Sequence, residues 1–348
     1  MAPDAQEERV LEAVGERREL VNEAIDEDRP RSEPERLYAA TRYWLEAGGK
    51  RLRPTVTLLT AEALADVDPL TEEYRAFPSV SGESVDVMAA AVSIEVIQSF
   101  TLIHDDIMDD DDLRRGVPAV HRAYDTETAI LAGDTLYSKA FEILTRTGAP
   151  ADRGLEAVRT LASTCTRICE GQSLDVEFEH RDDIVPDEYL EMVESKTAVL
   201  YGAAAGLAPI VLGADQETVD AVYRFGIDAG TAFQIQDDVL DLTVPSEQLG
   251  KQRGSDLVEN KETLITLHAR QQGVDVDGLV DADTVDDVTE AEIDAAVETL
   301  RDAGSIDYAS EMAADLVERS KDRLTVLPDN EARSLLADIA DYLITRGY

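Results

Sequence analysis

The segments "HDDIMDD" at 104–110 and "QDDVLDL" at 236–242 each place two aspartates four residues apart at the end of an apolar helical pattern. Residues four apart share a helix face, so Asp105 projects with Asp109 and Asp237 with Asp241. On the same stripes, Gln98 and Leu102 precede the first pair and Gly230 and Gln234 the second. Carboxylates at the head of an apolar face are costly unless compensated, and two such clusters would repel each other. Divalent cations answer both problems. Hard oxygen donors in ones and twos suit Mg²⁺, which completes its shell with water and substrate phosphate. Calcium fits less well, because neither segment has a glycine-turned loop with spaced ligands and a terminal glutamate.

An acidic motif must be weighed against the whole chain, where Asp plus Glu number 74 and Lys plus Arg 32, a net charge of -42. One such pattern could arise by chance here, but two that both cap apolar helices are a different matter. Such self-repulsion destabilises a compact fold in dilute buffer and is screened by high salt, so the charge predicts a salty cytoplasm before it predicts a function. It also excludes nucleic-acid binding through a general basic surface. Asp110, Asp111 and Asp112 extend the first cluster, either as added metal affinity or as salt-adapted surface.

Against this background the cations are informative. The six lysines are Lys50, Lys139, Lys196, Lys251, Lys261 and Lys321. "GGKRLRP" at 48–54 sets Lys50, Arg51 and Arg53 after a glycine pair, and Arg114 and Arg115 follow the first aspartate cluster. Guanidinium forks and ammonium groups beside Mg²⁺-binding carboxylates are what a diphosphate requires. Lys196, Lys251 and Lys261 complete a set of four placed lysines with Lys50.

These residues need rigid elements behind them. Apolar residues recur at helical spacing almost throughout, and no stretch alternates as a strand does, so an all-α fold is expected. With 348 residues, 44% of them hydrophobic, and no Pro/Gly/Ser-rich linker, the chain reads as one domain over 1–348. Two acidic stretches, near 66–86 and 273–287, read as surface loops. Cys165 and Cys169 read as small buried residues in a reducing cytosol, not a disulfide or metal pair. The acidic N-terminus is no signal peptide. "TAVLYGAAAGLAPIVLGA" at 197–214 matches a membrane span only marginally, and its small residues suit a helix inside an all-α protein; no membrane span is expected.

In the order "GGKRLRP", "LIHDDIMDDDDLRRG", "GDTLYSKAFEIL", "EGQSLDV", "SKTAVLY", "FQIQDDVLDL" and "GKQRGSDLVENKETL", the sequence resembles the trans-isoprenyl diphosphate synthases, the polyprenyl synthetase family, over nearly the whole chain. The resemblance implies long helices around a deep central cavity, a homodimer, and about three Mg²⁺ ions per active site. Carried over by position, Asp105, Asp109, Asp237 and Asp241 would hold Mg²⁺ on an allylic diphosphate, with Asp106 and Asp238 in support. Lys50, Arg53, Gln98 and Arg115 match the isopentenyl diphosphate site, and Arg114, Lys196, Thr197, Gln234, Lys251 and Lys261 the allylic site. A terpene cyclase would share one DDxxD helix without needing GGKRLRP. A silent subunit of a hetero-oligomeric synthase usually loses one aspartate cluster.

Product length should be set behind Asp105, where positions four and five residues earlier lie about one turn deeper at roughly 1.5 Å per residue. Ile97, Phe100 and Thr101 line that region. A bulky residue at Phe100 beside a small one at Thr101 resembles archaeal geranylgeranyl diphosphate synthases, which implies a twenty-carbon product, with fifteen- and twenty-five-carbon products as alternatives.

Overall fold

The computed structural model describes residues 5–28, 32–181, 183–246, 253–280 and 288–345. Its helices are α1 (Ala5–Asp28), α2 (Glu35–Glu46), α3 (Leu52–Ala65), α4 (Val87–Met108), α5 (Val120–Ala123), α6 (Thr126–Leu144), α7 (Ala151–Phe178), α8 (Pro186–Val193), α9 (Val199–Leu212) and α10 (Gln216–Thr243). Further helices follow at Ser255–Val258, Leu264–Gln271, Glu290–Asp302, Ser305–Arg323 and Glu331–Thr345. The fold is all-α as the periodicity requires. The only strands among the described residues are two hairpins of two-residue strands, Phe77–Pro78 with Ser84–Val85 and Leu113–Arg114 with Val117–Pro118. The first lies in the acidic stretch expected as a loop; strands so short leave no alternation to read.

The chain forms two compact units. One contains residues 1–165, 203–223 and 324–338, the other 166–202, 224–323 and 339–348. Each boundary falls inside a helix or at a helix end, which is why no linker composition marks it.

In the first unit α4 packs against α3 and α6. Every residue from Val87 to Ile97 is buried, so this part of α4 is packed on all sides and not merely along one stripe. Its start is fixed by Asp86, whose side chain accepts the Ala89 N–H at 2.8 Å. Helix α1 is pinned by a fully buried pair, Arg17 Nη2 to Glu62 Oε2 at 2.6 Å, while Glu62 Oε1 accepts the Tyr74 hydroxyl and the Leu70 N–H. These bonds tie α1, α3 and the 66–76 segment together.

In the second unit, α8 passes into a single π-helical turn at Glu194–Ala198 before α9 begins. Such a turn inserts an extra residue into the helical ladder and often marks a functional site. The apolar windows of Val87–Met108 and Pro186–Leu212, long enough to cross a membrane, are 78% and 89% buried, so both are core helices. Cys165 is buried as expected, whereas Cys169 is exposed. One turn and about 40° separate the two positions, enough to carry Cys169 off the buried stripe.

Candidate active site

Helix α3 begins inside GGKRLRP, at Leu52, with the left-handed Arg51 (φ 53°) as its N-cap. That conformation turns Arg51 inward, where it pairs with Glu95 and donates to Asn22 at 2.9 Å and the Leu45 carbonyl at 3.1 Å. The buried arginine therefore braces the loop from within. Arg115 bonds the Gly48 carbonyl and lies over the Trp44 ring, 5.5 Å from its centroid. A Cβ at Gly49 would sit 2.8 Å from Arg115 Nη1, so the second glycine of the pair lets the guanidinium lie this close to the loop. Burial pushes the Arg115 guanidinium below its ordinary pKa; Glu95 opposes this, while Arg51, Arg114 and Arg53 add to it. A protein this acidic has gathered cations that repel each other, the electrostatic mark of a place prepared for an anion.

Asp105, Asp106 and Asp109 occupy the last turn and cap of α4. Asp106 is fully buried and binds Arg114 Nε at 2.7 Å through one oxygen. Its Oδ2 is buried with no hydrogen-bond partner among the described residues. Burial raises its pKa, and Arg114 only partly offsets this. Arg114 also reaches Asp111 at 2.7 Å, and Arg122 takes Asp110 at 2.8 Å and Asp112 at 2.7 Å. The extra aspartates thus pair with arginines and shape the turn between α4 and the hairpin, a third outcome beside the two the sequence left open.

Behind them, Ile97 is fully buried, Phe100 is half-buried, and Thr101 donates its hydroxyl to the Gln98 carbonyl at 3.0 Å. The Phe100 ring meets His104 at 4.9 Å and Tyr137 at 5.3 Å edge-on, and Tyr137 meets Phe141 at 5.2 Å. Tyr137 and Phe141 belong to α6, so sequence distance hid their part in this aromatic ladder.

The second unit holds a cavity of about 180 Å³ lined by Lys196, Thr197, Gln234, Asp238 and Lys261, together with Asp175, Tyr189, Asp256 and others. The π turn supplies Lys196 and Thr197. Lys196 Nζ bonds Asp175 Oδ2 at 2.5 Å, and a side chain at Gly171 would overlap the Lys196 backbone nitrogen. The EGQSLDV motif therefore contributes both the close helix approach and the carboxylate that aims Lys196. Thr197 donates to Gln234 Oε1 at 3.2 Å, and Gln234 Nε2 donates to Asp238 Oδ1 at 3.1 Å. Asp238 Oδ2 accepts the hydroxyl of the buried Tyr189. Burial drives Asp238 well above its ordinary pKa, Asp256 adds to this, and the Tyr189 and Gln234 donors hold it down. Asp241 is buried; its two oxygens accept Ser255 Oγ at 2.9 Å and the Asp256 N–H at 3.2 Å. Asp237 is partly exposed. Lys261 pairs with Glu259 at 2.8 Å, and Lys251 lies outside the described residues.

The residues fit divalent metal. Both clusters sit at helix C-termini, the negative end of the macrodipole, and neither α4 nor α10 has a basic residue in its last turn. Among the described residues no three His, Cys, Asp or Glu side chains gather tightly enough to hold an ion alone. Such sparse donors suit Mg²⁺, which is bound through one or two carboxylates plus phosphate and water.

A family model for polyprenyl synthetase matches residues 34–300. The chain belongs to the polyprenyl synthetase family. It is similar to the geranylfarnesyl diphosphate synthase of Natronomonas pharaonis, 69% identical over 97% of this chain and 98% of that one. It is also similar to the geranylgeranyl diphosphate synthase of Methanosarcina mazei, 47% identical over 97% and 98%. Among solved structures, the geranylgeranyl pyrophosphate synthetase of Geoglobus acetivorans superposes with a TM-score of 0.84 at 43% identity, covering 96% of this chain and 99% of that one. The Pyrococcus horikoshii enzyme gives 0.86 at 36% identity, covering 97% and 99%. The chain is accordingly a trans-prenyltransferase with the isoprenoid synthase fold, of a Mg²⁺-dependent family acting on prenyl diphosphates.

Proposed function

We propose that the chain condenses isopentenyl diphosphate with allylic diphosphates and that its final product is the twenty-five-carbon geranylfarnesyl diphosphate. The observation that carries the product is the 69% identity to a geranylfarnesyl diphosphate synthase, against 47% to a geranylgeranyl diphosphate synthase at equal coverage. This replaces the twenty-carbon expectation drawn from Phe100 and Thr101. One large ring near the floor does not fix depth when its position depends on rings of another helix.

In this reading Asp105, Asp109, Asp237 and Asp241 hold Mg²⁺ on the allylic diphosphate, Asp241 through lone pairs left by its bonds to Ser255 and Asp256, which fix its orientation. Bound Mg²⁺ supplies neutralisation of the departing diphosphate. Arg114, Lys196, Lys251 and Lys261 add positive charge there, so the allylic C–O bond ionises to a resonance-stabilised cation. Lys50, Arg53 and Arg115, with Gln98, hold isopentenyl diphosphate so that its double bond attacks that cation. The proton then lost passes to the released diphosphate. The oxygens of Thr197 and Gln234 stabilise the cation. The exposed Ile130, Leu131 and Tyr137 of α6 support a homodimer, which light scattering should report as twice the 38.1 kDa chain mass.

The test is incubation with labelled isopentenyl diphosphate, farnesyl diphosphate and Mg²⁺ in molar salt, followed by dephosphorylation and chromatography. Accumulation of a twenty-five-carbon alcohol is expected. Synthesis that halts at twenty carbons would return the reading to geranylgeranyl diphosphate.

A further inference from the structure

We infer that Tyr189 is a positioning residue for the condensation, setting the polarity of the Thr197 hydroxyl through Asp238 and Gln234; this rests on the reading proposed above. The observation is an unbroken line of hydrogen bonds that joins the buried Tyr189 to Thr197 along the lining of one cavity. The Tyr189 hydroxyl, buried at 2% exposure, donates to Asp238 Oδ2. The other Asp238 oxygen accepts Gln234 Nε2 at 3.1 Å. A carboxylate that accepts on both oxygens compels the amide of Gln234 to face it with nitrogen, so Oε1 points the other way. There it accepts the Thr197 hydroxyl proton at 3.2 Å.

The direction of that last bond matters. With its proton committed to Gln234, Thr197 turns oxygen lone pairs, not hydrogen, toward the remaining space. The cavity wall then carries partial negative charge from two oxygens, which stabilises a cation and would repel an anion. Helical spacing makes the relay possible: Gln234 and Asp238 are four apart on α10, and Tyr189 stands on α8, seven residues before Lys196. The π turn brings Thr197 within reach of Gln234. Without the Tyr189 donor, Asp238 Oδ2 is buried and unsatisfied. The carboxylate can then turn about its Cβ–Cγ bond toward other donors, and as its Oδ1 leaves Gln234 Nε2 the amide is released to flip. A flipped amide presents N–H₂ to Thr197, whose hydroxyl proton is then free to point at the developing positive charge.

Tyr189→Phe removes one oxygen and keeps the ring. Measured beside wild type with isopentenyl and allylic diphosphates, it should lower kcat about tenfold or more while both KM values stay within about twofold, since the dipole acts on the transition state and not on diphosphate binding. Thr197→Val removes the hydroxyl that the relay orients. The double variant should therefore be no slower than Thr197→Val alone. Full kcat in Tyr189→Phe with only a lower melting temperature would overturn the inference, as would penalties that multiply in the double variant. If Tyr189→Phe does not fold, Asp238→Asn carries the same test, with the same non-additivity expected against Thr197→Val and multiplied penalties overturning it. A wild-type protein without prenyltransferase activity would overturn the functional reading instead, before any variant is compared.

Discussion

Single carboxylates divide here into those that reach solvent and those that are held in the interior. Asp237 is partly exposed, whereas Asp238 is buried between Tyr189 and Gln234. Asp237→Ala should therefore cut turnover by orders of magnitude and leave the melting temperature nearly unchanged. Turnover that persists in EDTA, or survives this substitution, would remove metal from the chemistry. Phe100 calls for a different assay. Phe100→Ala deepens the space behind Asp105 and should shift products to longer chains, while Thr101→Phe should shorten them; an unchanged distribution in both, with activity retained, would place the floor elsewhere. Paired aspartates and scarce lysines were legible in the sequence because carboxylate spacing and composition need no fold to be seen. The division of labour within GGKRLRP was not. Arg51 and Arg53 look alike in sequence, and only the left-handed backbone at Arg51 sends it to Glu95. Tyr189 likewise reads as one more apolar position until Asp238 is found against it.

At the scale of elements, the helices were readable from their 3.6-residue period, but their irregularities were not. Nothing in "ESKTAVLY" announces a π turn, because the cause lies on another helix. Gly171 of α7 lets backbone meet backbone at Ser195 and Lys196, and Asp175 one turn later takes the lysine side chain. A methyl group at position 171 has no room, so Gly171→Ala should displace the turn and lower kcat by more than about tenfold, with a loss of about 1–3 kcal/mol in stability typical of overpacking. The substitution is small enough that circular dichroism should still report a helical protein. Unaltered kinetics in this variant would mean that the contact is loose and the turn owes its position to something else. The hairpins beside the first aspartate cluster and at 77–85 escaped notice for a related reason: two-residue strands are set by the turns that join them.

The whole molecule must reconcile a net charge of -42 with a compact fold. Its buried pairs, Arg17 with Glu62 and Arg51 with Glu95, are shielded from solvent and gain little from added salt. The surface behaves otherwise. Exposed pairs such as Arg36 with Asp125 contribute little, and the 74 acidic residues far outnumber the 32 basic ones. Repulsion summed over that surface falls steeply as the screening length drops from about 10 Å at 0.1 M salt to about 3 Å at 1 M. Both the melting temperature and the turnover should therefore rise together between these concentrations, because the same screening compacts the fold and lets anionic diphosphates approach an anionic protein. Substrate KM separates the two effects: it should fall with salt even at temperatures where the protein is fully folded. Full stability and unchanged KM in dilute buffer would show that the acidic surface is not an adaptation to salt, and that the cations around Lys50 and Arg115 overcome the net charge locally without help.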